Sequence, residues 1–68
     1  MKKGIDNLIR LALKNDEIMS LLNSDRSEAI KKAKKHQVEL SAKELEVLTG
    51  LDKKVLRKVI KEVKSKQG

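Results

Sequence analysis

The chain has no cysteine, no proline and no aromatic residue, and only one histidine among its 68 residues. Each absence closes a route. Without cysteine there is no disulfide framework and no thiolate metal site, and His36 alone has no second imidazole with which to build a zinc set. Without proline no helix is broken from within. Without Phe, Tyr or Trp the core must be made of Leu, Ile, Val, Ala and two Met. Single-stranded nucleic acid, usually held by stacking bases on aromatic rings, finds no such platform here. No stretch approaches the roughly 18 apolar residues of a membrane-spanning helix. Met1-Lys2-Lys3 has the look of a secretory basic region, but Asp6, Asn7 and Arg10 interrupt the apolar run that should follow. A cytoplasmic protein is expected, forming one helical domain over residues 1–68 and needing no cofactor or metal. At this size folding buries only about 60% of the chain's surface, so stability must come from close helix packing or from a homodimer.

The charge is large and unevenly placed. Residues 1–30 carry five Lys or Arg against five Asp or Glu, whereas residues 31–68 carry twelve against five, so the whole net charge of +7 belongs to the second half. Such a one-sided field favours a polyanion, either nucleic acid or an acidic membrane surface. Solubility alone is the competing explanation.

Apolar spacing predicts five helical segments. The first, about Ile5 to Asn15, places Ile5, Leu8, Ile9 and Ala12 on one face. The second, about Asp16 to Asn23, contributes Ile18, Met19, Leu21 and Leu22. Asp25 with Glu28 fits a capping box that opens a third helix running through His36, with Ala29, Ile30 and Ala33 as its apolar residues. His36 there suits the negative end of the helix dipole. Ser41 with Glu44 is a second capping box, with Leu40 and Leu45 as its hydrophobic staple. Gly50 is expected to end this fourth helix in a left-handed conformation, and Asp52 to cap the fifth, with Leu51 and Leu56 as a further staple. At about 100° per residue, Lys53, Lys54, Arg57, Lys58, Lys61 and Lys64 occupy an arc of about 0° to 140°, and Val55, Leu56, Val59, Ile60 and Val63 one of about 200° to 340°. One side is expected to dock on the bundle and the other to face outward. The fold class expected is therefore all-α, a compact bundle of four to five short helices with a helix-turn-helix-like pair at its C-terminal end.

The segment "KELEVLTGLDKKVLRKVIKEV" resembles the helix-turn-helix of small bacterial and phage DNA-binding proteins. The resemblance implies that Leu45, Leu48, Gly50, Leu51, Leu56 and Ile60 support the pair. It also implies that the second helix enters the major groove, led by Lys53, Lys54, Arg57 and Lys58. Glu46 stands where that family has a small residue at a close helix crossing. A nearly pure lysine surface neutralises phosphates more readily than it discriminates bases, so the expectation is weak intrinsic sequence preference or a palindromic site read by a homodimer.

A longer passage, "SEAIKKAKKHQVELSAKELEVL", resembles the helical leader domain of nitrogen-fixation-related precursor peptides. Ala33 and Lys34 precede a helix-ending residue, followed by the triplet Val38, Glu39 and Leu40, the cap Ser41 and the pair Glu44 and Leu45. That resemblance implies a protein partner that grips the domain through its helices. It departs in having no double glycine near Val59 and no cysteine or aromatic residue in the tail.

No nucleophile or paired-carboxylate arrangement stands out, so the chain is read as a non-enzyme. The favoured function is a small DNA-binding, regulatory protein that contacts duplex phosphates through Lys53, Lys54, Arg57, Lys58, Lys61 and Lys64, with a secondary basic patch of Lys31, Lys32, Lys34 and Lys35. The leader-like domain is second, and a cationic membrane-active peptide third. The membrane reading is disfavoured because so small a core needs the apolar side of the last helix for itself.

Overall fold

The chain, described here as a computed structural model over residues 3–67, forms five helices in the order α1 (Lys3–Lys14), α2 (Asp16–Ser24), α3 (Arg26–Lys35), α4 (Ala42–Gly50) and α5 (Lys53–Gln67). Met1 and Lys2, part of the basic N-terminal stretch, lie outside the described residues, as does Gly68. Among the described residues there is no strand. The all-α expectation holds, and so does the helix count.

The first helix is the hub. Ile5, Leu8, Ile9 and Ala12 are all buried, so the stripe legible in the sequence is the inner face of α1. Against it pack α2, α3, α4 and α5, while α2 and α3 also pack tightly on each other. Ile18 and Leu22 from α2, Ala29 and Ala33 from α3, Leu48 from α4, and Leu56 and Val63 from α5 complete one continuous apolar cluster. The radius of gyration of 10.7 Å matches the roughly 11 Å of a folded chain of this length.

Two polar residues divide the first three helices. Asn15, expected to close the first helix, instead has extended backbone and caps α2, its side-chain oxygen accepting from the Glu17 and Ile18 amides at 3.1 and 3.2 Å. Asn is among the strongest N-caps, so the break falls before it rather than after. Asp25 ends α2 and starts α3, accepting from the Glu28 amide at 3.3 Å. The box expected there is half made, because Glu28 turns to Lys31 at 3.6 Å.

Helix α3 stops one residue earlier than expected, with His36 as its C-cap and Gln37 in the left-handed region at φ 66°. The Val38 amide donates to the Ala33 carbonyl and the Gln37 amide to that of Lys34, each at 3.0 Å. This pair of bonds defines a Schellman stop, with Gln37 at the position where glycine is usual. The chain then runs through Val38, Glu39 and Leu40 to the cap of α4.

At α4 both halves of the expected capping box are present: Glu44 Oε1 accepts from the Ser41 amide at 2.9 Å and Ser41 Oγ from the Glu44 amide at 3.2 Å. The other Glu44 oxygen accepts from the Gly4 amide at 2.8 Å. One carboxylate therefore satisfies the amino ends of two helices forty residues apart. These bonds, with the Ser41 amide foremost, hold the Glu44 carboxyl below its ordinary value of 4.5, and burial opposes them. A depressed carboxylate contributes stability that is present above the unfolded value and lost as pH falls through the folded one. Urea unfolding across the acid range should show the native protein weakening below about pH 4.5. Glu44→Gln should be less stable at neutral pH and lose less on acidification. Parallel curves for the two proteins would show that the bridge is not made.

The turn into α5 corrects the reading of Gly50. No glycine among the described residues has positive φ, and Gly50 is the last helical residue of α4, followed by an extended Leu51 at φ −69°, ψ 132°. The Leu51 amide donates to the Leu48 carbonyl at 3.3 Å, and the Arg26 guanidinium adds donors to the main-chain oxygens of Leu48 and Leu51. Moreover, α4 and α5 each pack chiefly on α1 rather than on one another. Nothing then requires a small residue at a close crossing, and Glu46 is simply exposed. A methyl added at Gly50 would meet no atom within 4 Å. Gly50→Ala should therefore stabilise the protein by about 0.4–1 kcal/mol through unfolded-state entropy, measured by urea denaturation; a loss of stability would restore the left-handed turn.

Candidate nucleic-acid interface

The candidate surface is the outer side of α5. Leu56 and Val63, seven residues apart, are its buried side chains among the described residues, and Val59 and Ile60 are half-buried beside them. On the helical wheel Leu56 and Val63 define a docking meridian near 290°. Val55, assigned to the docked arc by its apolar character, sits about 90° from that meridian and is 43% exposed. The arc packs on the core through Leu56, Val59, Ile60 and Val63, and Val55 at one edge does not.

The opposite arc matches its expectation. Lys53, Lys54, Arg57, Lys58, Lys61 and Lys64 are all exposed, and none of them is paired with a carboxylate among the described residues, where the salt bridges are Lys31–Glu28 and Lys32–Glu17. From Lys54 to Lys64 the helix advances about 15 Å. At the head of α5 Asp52 is weakly employed, its Oδ1 accepting from the adjacent Lys53 amide at 2.9 Å.

The four lysines of α3 are less uniform. Lys32 is half-buried and bonded to Glu17 of α2 at 2.9 Å. The hydrogen bond between them raises the Lys32 ammonium above its ordinary value and lowers the Glu17 carboxyl. Lys31 is drawn to Glu28. Lys34 and Lys35 are exposed and unpaired among the described residues. The secondary patch is thus half neutralised, and α3 and α5 are joined mainly through α1.

The surface also carries hollows. A 230 Å³ cleft is lined by Ile30, Lys34, Val38, Glu39, Leu40 and Leu45, somewhat below the roughly 300 Å³ at which small-molecule sites begin. A wider one of 470 Å³ lies over the α2–α3 junction and the α4–α5 turn, between Asp25, Ser27, Thr49 and Lys53. Among the described residues no three His, Cys, Asp or Glu side chains converge as a metal set. Among the described residues no helix is long and apolar enough to cross a membrane. No family model, curated protein or solved structure matches the chain.

Sequence reasoning missed two residues that position this surface, Arg26 and Gly4, and the second bond of Glu44. Arg26 fixes the turn from which α5 departs, and Gly4 with Glu44 anchors α1, on which α5 lies. Each acts across more than twenty residues, so no local pattern announces it.

Proposed function

We propose that the protein is a small non-enzymatic DNA-binding protein of regulatory type, contacting duplex phosphates through Lys53, Lys54, Arg57, Lys58, Lys61 and Lys64. The observation that carries this reading is the state of those six cations: exposed, unpaired among the described residues, and gathered on one side of a helix whose other side is anchored. Ion-paired lysines, as at Lys32, already have an anion. These six do not, and a duplex supplies phosphates at close spacing with release of counterions on binding. The test is a titration of labelled duplexes, random and taken from upstream genomic sequence, at several salt concentrations. Micromolar or tighter binding with a linear fall of log affinity against log salt, at a slope of several units, is expected. No binding at low salt would refute the reading.

A second reading, a leader-like domain gripped by a protein, is favoured by the stretch from Ala33 to Leu45. The helix stop at Gln37 and the cap at Ser41 fall at the spacing of the leader pattern, and Val38, Glu39 and Leu40 line the 230 Å³ cleft. If duplexes fail to bind, this is the face on which to look for a partner.

A further inference from the structure

Resting on the duplex reading above, we infer that α5 lies lengthwise along the phosphate backbone and holds it without reading base sequence, rather than entering the major groove by its N-terminal end. Four observations converge on this geometry. The cations are spread over the whole helix: Lys53 and Lys54 in the first turn, Arg57 and Lys58 in the middle, Lys61 and Lys64 toward the end, all exposed on one arc. An end-on helix concentrates its contacts at the leading turn, which does not call for cations spread evenly as far as Lys61 and Lys64.

The leading end itself is wrong for insertion. Asp52 places an exposed carboxylate at the head of α5, beside the Lys53 amide, where it would meet phosphates with like charge. Along the helix the other acid, Glu62, falls near 180° on the wheel, outside the basic arc.

The side chains are also of the wrong kind for base discrimination. Bidentate donors such as Arg, Asn and Gln carry the strongest base contacts, and Arg57 is the one such residue on the arc. Lysine is a mobile point charge that fits any phosphate. Finally, base-reading helix pairs steady the second helix with the first, which crosses the backbone, whereas α4 leans on α1 and leaves the α5 face to itself.

The test compares two paired variants, Lys53→Ala with Lys54→Ala and Lys61→Ala with Lys64→Ala, on random duplexes of one length across a salt series. All four positions are exposed and alanine favours the helix, so both variants should fold. At about 0.9 units per phosphate contact, each pair should lower the salt slope by about 1.8. Duplexes of unrelated sequence should bind within about threefold of one another, far below the 10³-fold or greater preference of specific binders. A slope change confined to the first pair, or a preference of that size for one duplex, would overturn the lengthwise geometry and leave duplex binding standing. Failure of the unaltered protein to bind any duplex would remove both, as would tighter capture by phosphatidylserine vesicles than by duplex.

Discussion

Lys54→Glu, Arg57→Glu and Lys58→Glu made together are expected to abolish duplex binding and leave the helical content unchanged. The three side chains are exposed and make no ion pair among the described residues, so their replacement removes no packing or salt bridge. Glutamate at position 54 lies in the first turn of α5, where negative charge is favoured by the helix dipole. The electrostatic change, by contrast, is large. Each reversal moves the charge by two units, taking the net +7 to +1. Three lost phosphate contacts remove about 2.7 units of salt slope, and three new carboxylates then face the phosphates. Circular dichroism with a parallel duplex titration checks both halves. Unchanged affinity would sink the assignment of this face, and lost helicity would show that the arc is structural.

Gly4→Ala and Gly50→Ala are one substitution at two sites, expected to act with opposite sign. At Gly4 the new methyl would lie 2.7 Å from Leu40 Cδ2, 2.8 Å from Glu44 Oε2 and 2.9 Å from the Glu39 carbonyl oxygen. The leucine can turn aside, but the carboxylate is held by the amides it accepts from, and the carbonyl is main chain. Overpacking of this kind costs about 1–3 kcal/mol, which exceeds the 0.5–1 kcal/mol that alanine gains over glycine in a helix. At about 0.05–0.15 kcal/mol per residue the whole protein is worth roughly 3–10 kcal/mol, so the loss is a sizeable fraction. With about 4–8 °C per kcal/mol for a domain of this size, the melting temperature should fall by several degrees or more, while Gly50→Ala should raise it slightly. If Gly4→Ala melts as high as the parent protein, α1 is not sealed against the connector and α4 in the way described.

These cases show which parts of the molecule a single sequence discloses. The inner stripe of α1 and the box of Ser41 and Glu44 were legible because each is complete within one or two turns. The exposure of the six cations followed from the same periodicity. The left-handed Gly50 was a local inference that the structure overturns: α4 runs through Gly50, and Arg26, more than twenty residues away, donates to the Leu48 and Leu51 oxygens at its end. Val55 was misplaced because an apolar arc on a wheel is wider than the contact one neighbouring helix can make. The pairing of Lys32 with Glu17 joins two helices whose rotation about each other the sequence does not state.

The bond from Gly4 to Glu44 also orders events in time. Of the five helices, the one on which the others pack is synthesised before them, yet the Gly4 amide at its amino end gains its carboxylate only once α4 exists, and the core around it is completed by Leu56 and Val63 of α5. A nascent chain ending at residue 52 therefore has its axle in hand with part of it bare. Final closure of the core waits on the same segment that bears the cations, so a chain that lacks the basic helix lacks a sealed interior as well.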